Sequence, residues 1–105
     1  LYSNLGFFAA GEVAARAAGA SWNDAVESRI LRPLGMTRSA ASVLTAPKDD
    51  NRAGTLGLVD GKMAVLLPSH QIVMGSAGSM VSTAADLSRY MRMLLNKGEL
   101  EGKRI

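Results

Sequence analysis

Near its start the chain carries a tyrosine and an asparagine two positions apart, in Tyr2-Ser3-Asn4. A helix-like run, Leu5-Gly6-Phe7-Phe8-Ala9-Ala10-Gly11-Glu12, follows at once. At the mouth of a helix such a pair can aim a phenol and an amide into one cleft. A phenol can give or take a proton, and a primary amide both donates and accepts. Taken alone, Tyr2 reads as well as a half-buried tyrosine at a helix start. Asn4 reads as well as a plain N-cap.

Other reactive types are sparse. His70 is the single histidine, follows Pro68-Ser69 and has no acidic neighbour in sequence. It is expected at the surface, and a lone histidine without a second ligand argues against a metal site. There are no cysteines, which excludes disulfides and thiolate metal sites. Ser76 and Ser79 lie in Gly75-Ser76-Ala77-Gly78-Ser79-Met80. That stretch lacks the G-x-S-x-G of a nucleophile elbow and the lysine of a phosphate loop. A flexible turn is expected for both serines.

Three helices and a hairpin must position these residues. The first helix is expected from about Leu5 to Ala18, with Ser3 or Asn4 capping it and Gly19 closing it. Glu12 and Arg16, one turn apart, form its one polar edge. The rest is apolar nearly all round, so deep burial is expected. Such a helix disfavours a free-standing helical domain.

The second helix opens at Ser21-Trp22-Asn23-Asp24, a capping-box pattern with Asp in place of Glu. Trp22, Val26 and Ile30 form its apolar stripe, and Pro33 should stop it near Leu31. Residues 38 to 53 read as irregular, with an exposed loop around Pro47-Lys48-Asp49-Asp50-Asn51. Asp60-Gly61 between two apolar runs is a hairpin signal. Thr83 with Asp86 is a second capping-box pattern. Leu87, Tyr90, Met91, Leu94 and Leu95 then match an amphipathic helix, with Met91 in the core and Gly98 at the end. The expected fold class is α+β, mostly helical.

A chain of 105 residues makes one domain at most. Hydrophobic residues at 48% and charged residues at 20% mark it as globular. Aromatics are few, so close packing through alanine and glycine is expected. The net charge is +3, yet the basic residues are scattered without interleaved aromatics. A solvated surface is the expectation, not nucleic-acid binding. No apolar stretch approaches the roughly 20 residues of a membrane span. The start at Leu1, without Met, suggests a piece of something longer.

Three segments, in this order, resemble one family. They are Tyr2-Ser3-Asn4-Leu5-Gly6-Phe7, Ile30-Leu31-Arg32-Pro33-Leu34-Gly35-Met36-Thr37, and Gly78-Ser79-Met80-Val81-Ser82-Thr83-Ala84-Ala85-Asp86-Leu87. Together they resemble the serine β-lactamase-related superfamily. The likeness is to class C β-lactamases, related esterases and D-alanyl-D-alanine carboxypeptidases. It implies a serine in S-x-x-K that forms an acyl-enzyme. A lysine and the tyrosine of Y-x-N manage its proton, and a K-T-G or H-x-G strand flanks the oxyanion region. A serine hydroxyl needs such a base, and a phenol serves near neutral pH only beside cations.

Carried over by position, Tyr2 resembles the proton-transfer tyrosine. Asn4 resembles the amide that contacts substrate and the catalytic lysine. Ser3 is the variable middle position. The loop Gly75 to Met80 can border the cleft. No serine is followed three residues later by lysine; Thr45-Ala46-Pro47-Lys48 has that spacing with the wrong nucleophile and comes after Y-x-N. There is no K-T-G, and His70-Gln71-Ile72 is not H-x-G.

The chain therefore resembles the helical subdomain of such an enzyme, with nucleophile and oxyanion strand supplied from outside it. The implied substrate is a β-lactam, a D-Ala peptide or a small ester, with no cofactor. A non-catalytic binding or regulatory relative is the alternative. The family spans periplasmic, secreted and cytoplasmic proteins, so the resemblance sets no compartment.

Overall fold

The hairpin signal at Asp60-Gly61 takes the form its chemistry requires. In the computed structural model, which describes residues 2–48, 51–66 and 75–105, β1 (Thr55–Val59) pairs antiparallel with β2 (Lys62–Leu66). Thr55 faces Leu66 and Val59 faces Lys62, leaving a two-residue turn. Asp60 and Gly61 both adopt positive φ, 50° and 76°. A two-residue turn with that geometry matches the right-handed twist of the strands. Gly61→Ala is expected to cost about 1 kcal/mol in chemical denaturation, because a Cβ disfavours this conformation.

Three helices surround the rest. Helix α1 spans Asn4–Ala18 and ends on Gly19 at φ 65°, which lets the chain turn back in left-handed geometry. Helix α2 spans Trp22–Val26 and continues as a π-helical turn over Glu27–Leu31. Ser21 caps it, its Oγ accepting from the Asp24 N–H at 3.1 Å. Helix α3 spans Ala84–Leu95, and Thr83 Oγ1 accepts from the Asp86 N–H at 3.2 Å. A short 3-10 turn covers Gly75–Ala77. A second strand pair, β3 (Glu99–Leu100) with β4 (Lys103–Arg104), follows α3 and was not foreseen from the sequence. The architecture is α+β and mostly helical, as the sequence led us to expect.

The exit from α2 departs from the proline rule. Arg32, directly before Pro33, keeps helical angles of φ −65° and ψ −49°. The widened turn makes this possible. Arg32 N–H donates to Glu27 O at 3.0 Å and Met36 N–H to Leu31 O at 2.9 Å, each reaching five residues back. A turn this wide draws the carbonyl four residues back away from the proline ring, and proline has no N–H to lose.

The core gathers Val26, Leu31, Leu34, Met36, Ala41, Met93 and Leu100, with Trp22, Ile30, Tyr90 and Ile105 packed against it. It therefore draws on α2, the segment after it, α3 and β3. Helix α1 stands apart from it. Deep burial was expected for α1, but only Gly11 and Ala15 are buried. Its large side chains, Leu5, Phe7 and Val13, are exposed. The helix meets its neighbours through its small-residue face, where Gly11 lies against both Ser76 and Trp22.

Helix α3 also turns differently from its pattern. Met91 was expected in the core and is 56% exposed; Met93 is the buried methionine. Leu87, Leu94 and Leu95 are exposed too. The inward face is Asp86, Tyr90 and Met93. Polar anchors set this rotation. Asp86 is buried and accepts from Arg38 N–H and Ser39 Oγ–H. Arg89 Nε donates to Leu34 O, and its guanidinium lies 3.6 Å from Glu101.

The Cα radius of gyration is 15.5 Å. A compact domain of this length is expected near about 13 Å. The difference agrees with the apolar faces of α1, α3 and the hairpin lying outside the core.

Candidate active site

Tyr2 precedes α1 by two residues and is 74% exposed. Its ring packs at a tilt on Phe7, with centroids 5.7 Å apart and planes at 38°. Ser3 holds the N-cap position in extended geometry, φ −146° and ψ 115°, but its side chain makes no capping hydrogen bond. Asn4 is the first residue of the helix, and its side chain is not a cap either. The expected capping by Ser3 or Asn4 therefore does not form. Among the described residues neither the Asn4 amide nor the Tyr2 hydroxyl has a hydrogen-bond partner.

The first turn of α1 carries no acidic residue. Its unpaired N–H groups and the helix dipole leave positive potential at this end. The phenol and the amide thus sit at an electropositive, open helix start. That setting favours negative charge on a bound group.

Helix α1 is held by the 3-10 turn and by α2. Ser76 Oγ donates toward Phe7 O at 3.1 Å and lies 3.4 Å from Phe8 O. Ser79 is fully buried, with its Oγ 2.8 Å from Ala41 O and 2.7 Å from Gly75 O. The flexible turn expected for these serines is instead a pinned one. Sequence reasoning missed their role, because single hydroxyls among glycines carry no local periodicity. Gly11 was the available signal, a glycine inside a helix that needs a packing reason.

The Trp22 indole completes this junction. A Cβ on Gly11 would meet Trp22 Cε3 at 3.4 Å, and one on Gly75 would meet Trp22 Cδ1 at 3.6 Å. The buried Trp22 Nε1 has no acceptor among the described residues.

A hollow of about 560 Å3 lies elsewhere, between the base of the hairpin and the chain around residues 38 to 47. Val43, Pro47, Arg52, Val65 and Leu66 line it, and neither Tyr2 nor Asn4 does. Among the described residues no group of three or more His, Cys, Asp or Glu is placed to hold a metal. No helix there is long and apolar enough to cross a membrane. His70 lies outside the described residues.

Comparison with known proteins adds the family. The chain is 31% identical over 104 residues to penicillin-binding protein 4 of Amycolatopsis lactamdurans, covering 92% of this chain and 26% of that protein. Among solved structures it is similar to the octameric penicillin-binding protein homologue from Pyrococcus abyssi. That match has a TM-score of 0.77 and 27% identity, over 94% of this chain and 22% of that one. It is also similar to the D-amino acid amidase from Ochrobactrum anthropi SV3, solved with D-phenylalanine. There the TM-score is 0.68 at 27% identity, over 91% of this chain and 30% of that one. The chain thus spans less than a third of the length of these relatives. The model of the family described as Beta-lactamase matches residues 1–105, and the chain belongs to that family.

Proposed function

We propose that this chain is the helical segment of a serine acyl hydrolase that works through an acyl-enzyme. Tyr2 is its proton-transfer group, and Asn4 its amide contact to substrate and to the catalytic lysine. The nucleophilic serine and the oxyanion strand come from the remainder of a longer protein. The observation that carries this reading is the state of Tyr2-Ser3-Asn4 at the head of α1. The phenol is exposed, the amide is not spent on capping, and both sit at the positive end of a helix.

The chemistry follows. The serine hydroxyl attacks an acyl carbon while its proton moves to a base. The phenolic oxygen at position 2 is the group that takes that proton and returns it to the leaving atom. An amide at position 4 can accept from one partner and donate to another at once, and so hold substrate and lysine in one geometry. The substrate class is an acyl donor: a β-lactam, a peptide ending in D-alanine, or a small ester. Similarity to a D-amino acid amidase supports a D-configured amide as a further probe.

Intact-mass spectrometry of the full-length protein tests the reading, before and after a fluorophosphonate or a β-lactam. One covalent adduct on a serine is the expected result. No adduct with either reagent would favour a non-catalytic binding or regulatory relative, with Tyr2 only a polar contact.

A further inference from the structure

We infer that Ser76 and Gly11 form a clasp that sets the position of Tyr2 at the head of α1. They are positioning residues for the proposed reaction, and the inference rests on the function proposed above. Three observations meet at this point. Ser76 Oγ binds the carbonyls of Phe7 and Phe8, which belong to the first turns of α1. Phe7 lies about 4.5 Å along the axis from Asn4 at 1.5 Å per residue. The clasp therefore grips the helix within one turn of the amide. Tyr2 leans on the same residue, since its ring packs against Phe7.

The second observation is steric. A Cβ on Gly11 would overlap both Cβ and Oγ of Ser76. Only a hydrogen at that position lets the turn approach closely enough for the hydroxyl to reach the two carbonyls. Gly11 carries ordinary helical geometry, so its need for glycine comes from this approach and not from its backbone angles. The third observation is the scarcity of other support. Among the described residues α1 packs on the 3-10 turn and on α2, while Leu5, Phe7 and Val13 face outward. The turn is itself anchored, because the buried Ser79 hydroxyl binds Ala41 O and Gly75 O. A chain of contacts thus runs from the segment at Ala41, through the turn, to the head of α1.

Reaction geometry is sensitive to such placement, since a misplacement of about 1 Å can cost on the order of 100-fold in rate. The carbonyls of Phe7 and Phe8 already sit in a helix, so losing Ser76 loosens the helix head without unfolding it. Ser76→Ala in the full-length protein is expected to lower kcat about tenfold, with KM changed less than about twofold. Gly11→Ala is expected to lower it about 100-fold. Gly11→Ala combined with Ser76→Gly opens the room that the alanine needs. That pair is expected to recover to the level of Ser76→Ala, which separates the contact from the residue types.

The decisive readout is a double-mutant cycle with Tyr2→Phe, using a chromogenic β-lactam and a nitrophenyl ester as substrates. If Ser76 acts through Tyr2, adding Ser76→Ala to Tyr2→Phe lowers kcat by less than about twofold. Wild-type kcat in Ser76→Ala overturns the clasp, as does a loss that multiplies in full with that of Tyr2→Phe. Failure of the double Gly11→Ala, Ser76→Gly variant to recover overturns the steric part. Wild-type turnover in Tyr2→Phe alone removes the proposed function, and the clasp's catalytic meaning with it. That outcome is distinct from a failure confined to Ser76.

Discussion

Replacing Tyr2 with phenylalanine in the full-length protein is expected to slow turnover about 100-fold or more, in acylation and deacylation alike. The change is unusually clean. Phenylalanine keeps the ring and its tilted contact with Phe7, and removes only the hydroxyl. At 74% exposure the residue contributes little to packing, so stability should move by less than about 0.5 kcal/mol. Loss of rate without loss of stability is what a proton-transfer group predicts. Single-turnover kinetics with a chromogenic β-lactam or ester checks it, alongside a denaturant melt. Wild-type turnover would refute the assignment of Tyr2, whatever the serine reagents label.

Much of this fold was legible because the signals are local. Asp60-Gly61 fixes its own backbone, and Ser21 and Thr83 each cap a helix with their own hydroxyl. Gly19 closes α1 by the same kind of short-range logic. What was not legible depends on partners far away in the chain. Helix α3 has an apolar stripe through Leu87, Tyr90, Met91, Leu94 and Leu95, and that stripe is real, but of its residues Tyr90 alone packs against the core. It is not the stripe that faces the core. The inward one, Asp86, Tyr90 and Met93, is offset from it by about 100°, the rotation of a single residue. Periodicity reports that a helix has an apolar face; it does not report what that face meets.

Helix α1 makes the same point in another way. Apolar residues nearly all round suggested burial on every side. Within the described residues, contact goes through Gly11 and Ala15, and the bulky side chains remain outside. Exposed Leu5, Phe7 and Val13 on one helix and Leu87, Met91 and Leu94 on another are the apolar faces that the rest of the protein would cover under the proposed reading. That agrees with a chain spanning 22% to 30% of its structural relatives. The resemblance supplied Tyr2 and Asn4 as the proposed site residues but could not find Ser76, because the clasp joins residues 69 positions apart.

The second large effect concerns Asp86, which the sequence presented only as half of a capping box. The same Ser/Thr-x-x-Asp pattern has two outcomes in this chain. At Ser21 the acid turns back on its own cap, and Ser21 Oγ donates to Asp24 Oδ2 at 2.6 Å. At Thr83 the acid leaves its helix altogether. Asp86 Oδ2 accepts Arg38 N–H at 2.9 Å and Ser39 Oγ–H at 2.7 Å, and Ser82 Oγ lies 2.8 Å from that same Ser39 hydroxyl. Asp86 and Ser39 are both buried. Asp86→Ala removes the charged acceptor that the Arg38 N–H and the buried Ser39 hydroxyl share, and leaves Ser39 with Ser82 Oγ as its other close oxygen. A loss of about 3 kcal/mol is expected in chemical denaturation, with the denaturant slope unchanged. Asp86→Asn keeps one acceptor oxygen and should lose about 1 kcal/mol. The ordering matters as much as the size. If alanine and asparagine cost the same, the carboxylate is not what holds residues 38 and 39 to α3. If alanine costs less than about 0.5 kcal/mol, neither is the side chain at all. The bridge between Ala40 and Val81, with N–H to O distances of 3.0 Å both ways, continues this seam toward Ser79 and the clasp. Weakening Asp86 should therefore also loosen the turn that grips α1. Raised amide exchange in the first turns of α1 would register that link.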